Sequence, residues 1–274
     1  MKEIIMENSV WKISDLQPFL GETVDTDRIH IHQCLASTND TAKMMAKDGC
    51  QHGTVVLANK QTAGRGRFNR AFYSPEDTGL YMSIVLDATK LGFEDYALLT
   101  PLVAVVTARV IHNNTQKKCG IKWVNDLYLE DKKVCGILTE GVMDGNVLGK
   151  FVVGIGINIG TDTFPEELEH IAGALISQED DLENKRKIRN RLAADLINEL
   201  TKEMIFEDYD SLMDEYRENQ ILIGKVVTVL GIKESYDAKV LNVDDKGCLL
   251  VERVDGEYKG QIETLNSGEV SVRR

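Results

Sequence analysis

Apolar positions along this chain follow two rhythms, and the change between them divides it. Short β-branched runs bounded by glycine or turn residues predict buried strands at Ile29–His32, Thr54–Ala58, 79–86, 120–123 and 151–158. Residues 128–139 predict a hairpin around Glu130-Asp131-Lys132, and Asp144-Gly145 a further turn. Helical spacing predicts a helix from Ser37-Thr38 to about residue 47, with either hydroxyl as N-cap and Gly49 near its end. A second, almost wholly apolar helix is predicted over 102–111, with Thr100 at the N-cap and Pro101 at the first position. Residues 180–202 read as an exposed linker and an amphipathic helix carrying Ile188, Leu192, Leu196 and Leu200 on one face, and 209–218 as another helix. Past 225 the pattern turns to short strands at 225–230, 235–243, 247–253, 258–262 and 269–272, with turns at Asp245-Lys246-Gly247, Asp255-Gly256 and Ser267-Gly268. About fifty residues of this kind suit a small β-barrel. The expected organisation is an N-terminal extension (1–28), a mixed α/β domain (29–220) and a barrel (221–274).

Length and charge narrow the classes. The chain has 274 residues, enough for one large core and a small second domain. A formal charge of −12 argues against non-specific binding to nucleic acid or anionic membrane. The five cysteines include no C-x-x-C pair, so neither a zinc site nor a disulfide framework is indicated. His30 and His32 share a strand face without a companion ligand cluster, and no metal site is expected. With neither a signal-peptide pattern nor an apolar run of roughly 18 residues, the expected location is cytoplasmic.

The candidate chemistry starts in the loop after the second predicted strand, Gln61-Thr62-Ala63-Gly64-Arg65-Gly66-Arg67-Phe68-Asn69-Arg70. Its glycines allow close approach to a ligand, and its arginines offer planar charged forks to carboxylate or phosphate. The pattern occurs once, unlike an arginine/glycine-rich RNA-binding tract. Lys122 lies among apolar neighbours, where an ammonium needs an anionic partner or a path to water. Gly154-x-Gly156 lacks the following helix of a dinucleotide fingerprint, and no G-x-x-x-x-G-K-[ST] loop exists, so any ATP is held without a P-loop.

Ser37-Thr38-Asn39, Gln61 to Arg67, Lys122-Trp123-Val124-Asn125-Asp126-Leu127 and Gly154-Ile155-Gly156-Ile157-Asn158 together resemble the ordered motifs of biotin–protein ligases, from about residue 30 to the end. The resemblance implies a catalytic domain like that of class II aminoacyl-tRNA synthetases, with a mixed sheet flanked by helices, and a C-terminal SH3-like barrel. It implies ATP-dependent activation of biotin to biotinyl-5′-AMP with Mg²⁺, then transfer to a lysine of a biotin carboxyl carrier protein. Lipoate attachment on a similar scaffold and a non-enzymatic biotin-responsive regulator are the alternatives. The few residues before Ser37, with more acidic than basic side chains, leave no room for a DNA-reading domain, so no nucleic-acid partner is expected. The protein is expected to be a monomer or homodimer.

Residue by residue, the resemblance implies that Lys122 and Arg67 are catalytic. Ser37, Thr38, Asn39, Gln61, Gly64, Arg65, Lys122 and Gly136 bind biotin. Arg65, Arg67, Arg70, Phe72, Asn125, Asp126 and Asn158 bind ATP or the adenylate. Three positions depart from the usual pattern: Asn69 where glycine is common, Phe72 where tryptophan is, and Val124 where proline is.

Overall fold

The computed structural model describes residues 11–273 except 146, 177–180, 203–205, 207, 232–234 and 267–270. In chain order the elements are β1 (Ile29–His32), α1 (Thr38–Lys47), β2 (Thr54–Ala58), β3 (Gly79–Asp87), α2 (Leu99–Thr115), β4 (Gly120–Lys122), β5 (Asp126–Leu129), β6 (Lys132–Asp144), β7 (Val147–Asn158), α3 (Glu166–Glu169), α4 (Leu182–Leu200) and α5 (Tyr209–Glu218). Strands β8 (Val226–Leu230), β9 (Ser235–Val243), β10 (Leu249–Arg253), β11 (Ile262–Leu265) and β12 (Ser271–Arg273) follow.

The first seven strands form one mixed sheet in the order β1-β2-β3-β7-β6-β5-β4. Only β1 and β2 run parallel; the other pairs are antiparallel. Period-two alternation sorts its side chains. Val55, Leu57, Leu80, Met82, Ile84, Ile137, Val153, Ile155 and Ile157 point into the main core, with α2 and α4. Val56, Val85 and Val152 point the other way, onto Ala42 and Ala46 of α1. The same alternation puts Tyr81, Ser83, Gly136, Leu138, Glu140, Gly154, Gly156 and Asn158 on the α1 face.

The segment Tyr96–Thr115, α2 with the turn before it, is long and apolar enough to cross a membrane, but it is two-thirds buried in this core, where its all-round apolar sequence belongs. Its start departs from the predicted cap. A 3₁₀ turn, Tyr96–Leu98, precedes it, and the Asp95 carboxylate accepts from the Ala97 N–H. The helix therefore begins at Leu99, before Pro101, and Thr100 Oγ1 bonds Thr139 Oγ1 instead.

The last five strands form an antiparallel sheet in the order β11-β10-β9-β8-β12. The strand predicted at 258–262 is displaced to Ile262–Leu265. Gly256 (φ 72°) and Gly260 (φ 86°) both take the left-handed conformation, so the turn runs on to Gln261. Of the strand predicted at 269–272, residues 269 and 270 lie outside the described set, as do the Ser267-Gly268 turn and residues 177–180 at the linker. The two sheets meet where the Trp123 indole N–H donates to the Gly247 carbonyl at 2.9 Å.

Residues 11–28 read as a polar extension, yet they pack as a strap of 3₁₀ turns on α4. Trp11 and Leu16 are buried. The Trp11 indole donates to Asn190 Oδ1 and lies 4.1 Å beneath the Arg189 guanidinium.

Candidate active site

One cavity of about 1110 Å³ opens over the α1 face of the large sheet. Its floor is bare because the sequence places glycines there. Gly136 and Gly156 are register partners, and Leu138 pairs with Gly154. A Cβ at Gly156 would lie 2.5 Å from the Phe72 ring, and one at Gly154 2.0 Å from Asn39 Oδ1. Both glycines therefore admit another side chain against the backbone.

At one end of the floor stands the N-terminus of α1. The Ser37 hydroxyl accepts the Asp40 N–H as N-cap, at 3.3 Å. Ser37, Thr38 and Asn39 line the cavity and are almost completely buried. Gln61 Oε1 accepts from the Thr38 N–H (2.8 Å) and from its hydroxyl (3.1 Å). The Ser83 hydroxyl lies 2.6 Å from Asn39 Oδ1 and 2.8 Å from Thr38 Oγ1. Such a chain of donors and acceptors at a helix N-terminus suits a polar, uncharged or anionic ligand head.

The arginine loop forms the adjacent wall. Its stem pairs with the approach to α1, the Thr62 and Ala63 N–H groups donating to Leu35 and Ala36 carbonyls. Its tip closes through Phe72 N–H to Gly64 O (2.9 Å) and Gly66 N–H to Arg70 O (2.8 Å). Gly64 is the one predicted site residue that does not line the cavity. Its Cβ would lie 2.4 Å from the Phe72 carbonyl, so only glycine lets the loop close here. Arg65 faces the cavity but is ion-paired to Asp40 and, at 3.7 Å, to Glu140. Arg67 reaches Asn125 Oδ1 at 3.3 Å, and burial lowers its pKa, opposed by the nearby Asp126 charge. Arg70 stands exposed at the rim, and Phe72 packs edge-on to Tyr81.

β4 and β5 supply the opposite wall. Lys122 lies 5.6 Å from the Tyr128 ring centre. Asn125 is fixed by donating to the Ile137 carbonyl at 2.7 Å. Asn158 is buried, and its amide donates to the Gly173 carbonyl.

Two features of the site escaped sequence reasoning. The first is Lys133, which lines the cavity and pairs with Asp126 at 2.6 Å. Strict alternation with Cys135 and Ile137 would send it to the core. The β5–β6 register skips Val134, so Val134 and Cys135 are both buried and Lys133 turns to the cavity side. The second is the wall formed by Phe164, Leu168, His170 and Ile171 around α3. The i, i+4, i+7 spacing of Phe164, Leu168 and Ile171 was the available signal.

Fold and site together define an α/β protein with a buried polar pocket beside a cluster of cations. The comparisons make that class particular. A model of the biotin/lipoate A/B protein ligase family matches residues 31–158. The chain is 30% identical over 260 residues to the bifunctional ligase/repressor BirA of Bacillus subtilis, covering 90% of this chain and 77% of that one. It is 29% identical over 241 residues to the biotin–[acetyl-CoA-carboxylase] ligase of Mycobacterium tuberculosis, covering 85% of each. The solved biotin protein ligase from Aquifex aeolicus in complex with biotin and ATP has a TM-score of 0.68 and 28% identity, covering 90% of this chain and 98% of that one. The chain belongs to the biotin protein ligase family, and it is a ligase.

Proposed function

We propose that this chain attaches biotin to a lysine of a biotin carboxyl carrier domain in two steps within the one cavity. A biotin carboxylate oxygen first attacks the α-phosphorus of ATP, and the bond to pyrophosphate breaks. The acceptor lysine's ε-amine, having lost a proton, then attacks the acyl carbon; AMP leaves and an amide remains. The observation that carries this reading is the meeting of a buried hydroxyl–amide pocket with Arg67, Arg70, Lys122 and Lys133 around one floor.

In this reading Ser37, Thr38 and Gln61 hold the uncharged ring of biotin. Its carboxylate then points along the glycine floor toward the lysines. Carboxylate and triphosphate repel each other, and fixed cations in a partly desolvated site offset that repulsion and the charge that develops on phosphorus. Arg67 retains the adenylate, Arg70 meets the outer phosphates, and Phe72 and Asn158 flank the base. Among the described residues no group of three His, Cys, Asp or Glu could hold a resident metal. Asp126 and Asp131 at the cavity fit a Mg²⁺ that arrives on ATP, where one or two carboxylates suffice and the ion shields phosphate charge. Closing the loop over the mixed anhydride keeps water from hydrolysing it. The reaction is placed in the cytoplasm.

The test is incubation with biotin, Mg-ATP and a purified carrier domain, read as a mass shift. A shift that requires ATP is expected. Tight biotin binding without adenylate would support a regulator instead, and activation of lipoate but not biotin would move the substrate.

A further inference from the structure

We infer that Arg65 is a positioning residue, the bolt of a charge latch whose keeper is Asp40 on α1 and Glu140 on β6. This deepens the proposed ligase reading and rests on it for its kinetic half. The resemblance makes Arg65 a ligand for biotin and the adenylate, but its guanidinium is engaged elsewhere. Nη1 bonds Asp40 Oδ1, and Nη2 lies 3.7 Å from Glu140 Oε1. Neither acid lines the cavity, whereas Arg65 does. The side chain thus spans from the cavity wall to the acids on α1 and β6.

Both anchors are themselves fixed. Glu140 takes hydrogen bonds from Lys43 Nζ (2.9 Å) and Asn39 Nδ2 (3.0 Å). Asp40 lies in the first turn of α1, next to Thr38 and Asn39. Two acids and two bases balance, so the cluster presents no net charge to an incoming anion. The chain from loop tip to Arg65, to Glu140, to Asn39 ties loop closure to the polar end of the pocket. Arg67 and Arg70 remain at the cavity to meet phosphate. The latch bonds are partly exposed, so their strength depends on salt.

The test is hydrogen–deuterium exchange of the ligand-free full chain, read at residues 64–72, with steady-state kinetics alongside. Asp40→Asn is expected to raise exchange there about fivefold and raise the biotin KM by a similar factor, with kcat for adenylation little changed. The charge swap Asp40→Arg with Arg65→Asp is expected to restore both, which a ligand role for Arg65 forbids. Independently of any variant, raising NaCl from low to molar concentration should speed exchange at 64–72 in the natural chain, and Asp40→Asn should abolish that dependence. Exchange and KM untouched by Asp40→Asn, with Arg65→Gln abolishing ATP binding, would overturn the latch. Exchange that follows the latch in a chain with no biotin adenylation would sink the proposed function and leave the latch standing.

Discussion

Gly154→Ala asks whether the bare floor is a requirement of the fold around the pocket. The new methyl would lie 2.0 Å from Asn39 Oδ1 and 2.8 Å from its Cγ. Asn39 must retreat by about 1 Å to reach contact distance, and it is held by Ser83, the Leu138 carbonyl and Glu140. Overpacking of a close-fitted site costs roughly 1–3 kcal/mol. Losing one or two of those buried hydrogen bonds adds about 0.5–1.5 kcal/mol each. The sum, about 3 kcal/mol, corresponds to a fall in melting temperature of roughly 6–12 °C for a chain of this size. Moving Asn39 also moves the start of α1, so biotin affinity should drop with it. Thermal unfolding by circular dichroism and biotin titration calorimetry read the two effects. Gly21→Ala is the control, because its Cβ would meet Asn198 Oδ1 at an ordinary 3.5 Å and its φ is not in the left-handed region. A Gly154→Ala protein that melts within about 2 °C of the natural chain and binds biotin equally would refute the spacing argument.

Other outcomes follow from neighbouring features. Lys122→Ala and Lys133→Ala, compared by pyrophosphate release, should each lower kcat, and the lysine that meets developing phosphate charge should lose about 10²-fold or more. Arg67→Gly should release biotinyl-adenylate to solution faster, seen as label on bystander lysines. Trp11→Ala removes a buried ring stacked on Arg189 and should cost about 3–5 kcal/mol in denaturant unfolding. Burial opposes the charge of Glu140, yet hydrogen bonds from Lys43 and Asn39 and the Lys43 and Arg65 charges hold its pKa below the usual carboxylate value. A lowered folded pKa means its stabilisation is whole above the unfolded value, about 4.3, and lost as pH falls through the folded one. The melting difference between the natural chain and Glu140→Gln should thus persist at neutral pH and shrink in acid.

Much of the frame could be read from local sequence, because local rules decide it. Ser37 caps α1 since a hydroxyl before an apolar-periodic run satisfies a free N–H. Thr54–Ala58 is an interior strand since all of its residues can be buried. What stayed hidden depends on how one segment meets another, which no single local pattern shows. Lys133 faces the cavity only because β6 slips against β5 by one residue. The pairing of Arg65 with Asp40 and Glu140, from two other elements, could not be read from its own loop. That Gly64 must be glycine for the loop to close shows only when the Phe72 carbonyl is seen to occupy its Cβ space. Thr100 looks like a cap until Asp95 wins the position one turn earlier.

The contact between Trp123 and the Gly247 turn bears on how the protein is made. Trp123 adjoins Asn125 and Asp126, and Tyr216 donates to the Val124 carbonyl while Gln220 accepts the Trp123 N–H. Edge strand β4 is further covered by backbone bonds from Ile121 to Asn219 and from Ile221 to Ile121. Every one of these partners lies more than ninety residues downstream of the segment it secures. On the ribosome strands β4 to β6 can pair among themselves, but the outer side of the β4–β5 wall is fully buttressed only once residues up to 247 have emerged. The pocket's last supports arrive late in synthesis, so a nascent chain stalled before that point leaves the Trp123 indole without its Gly247 partner.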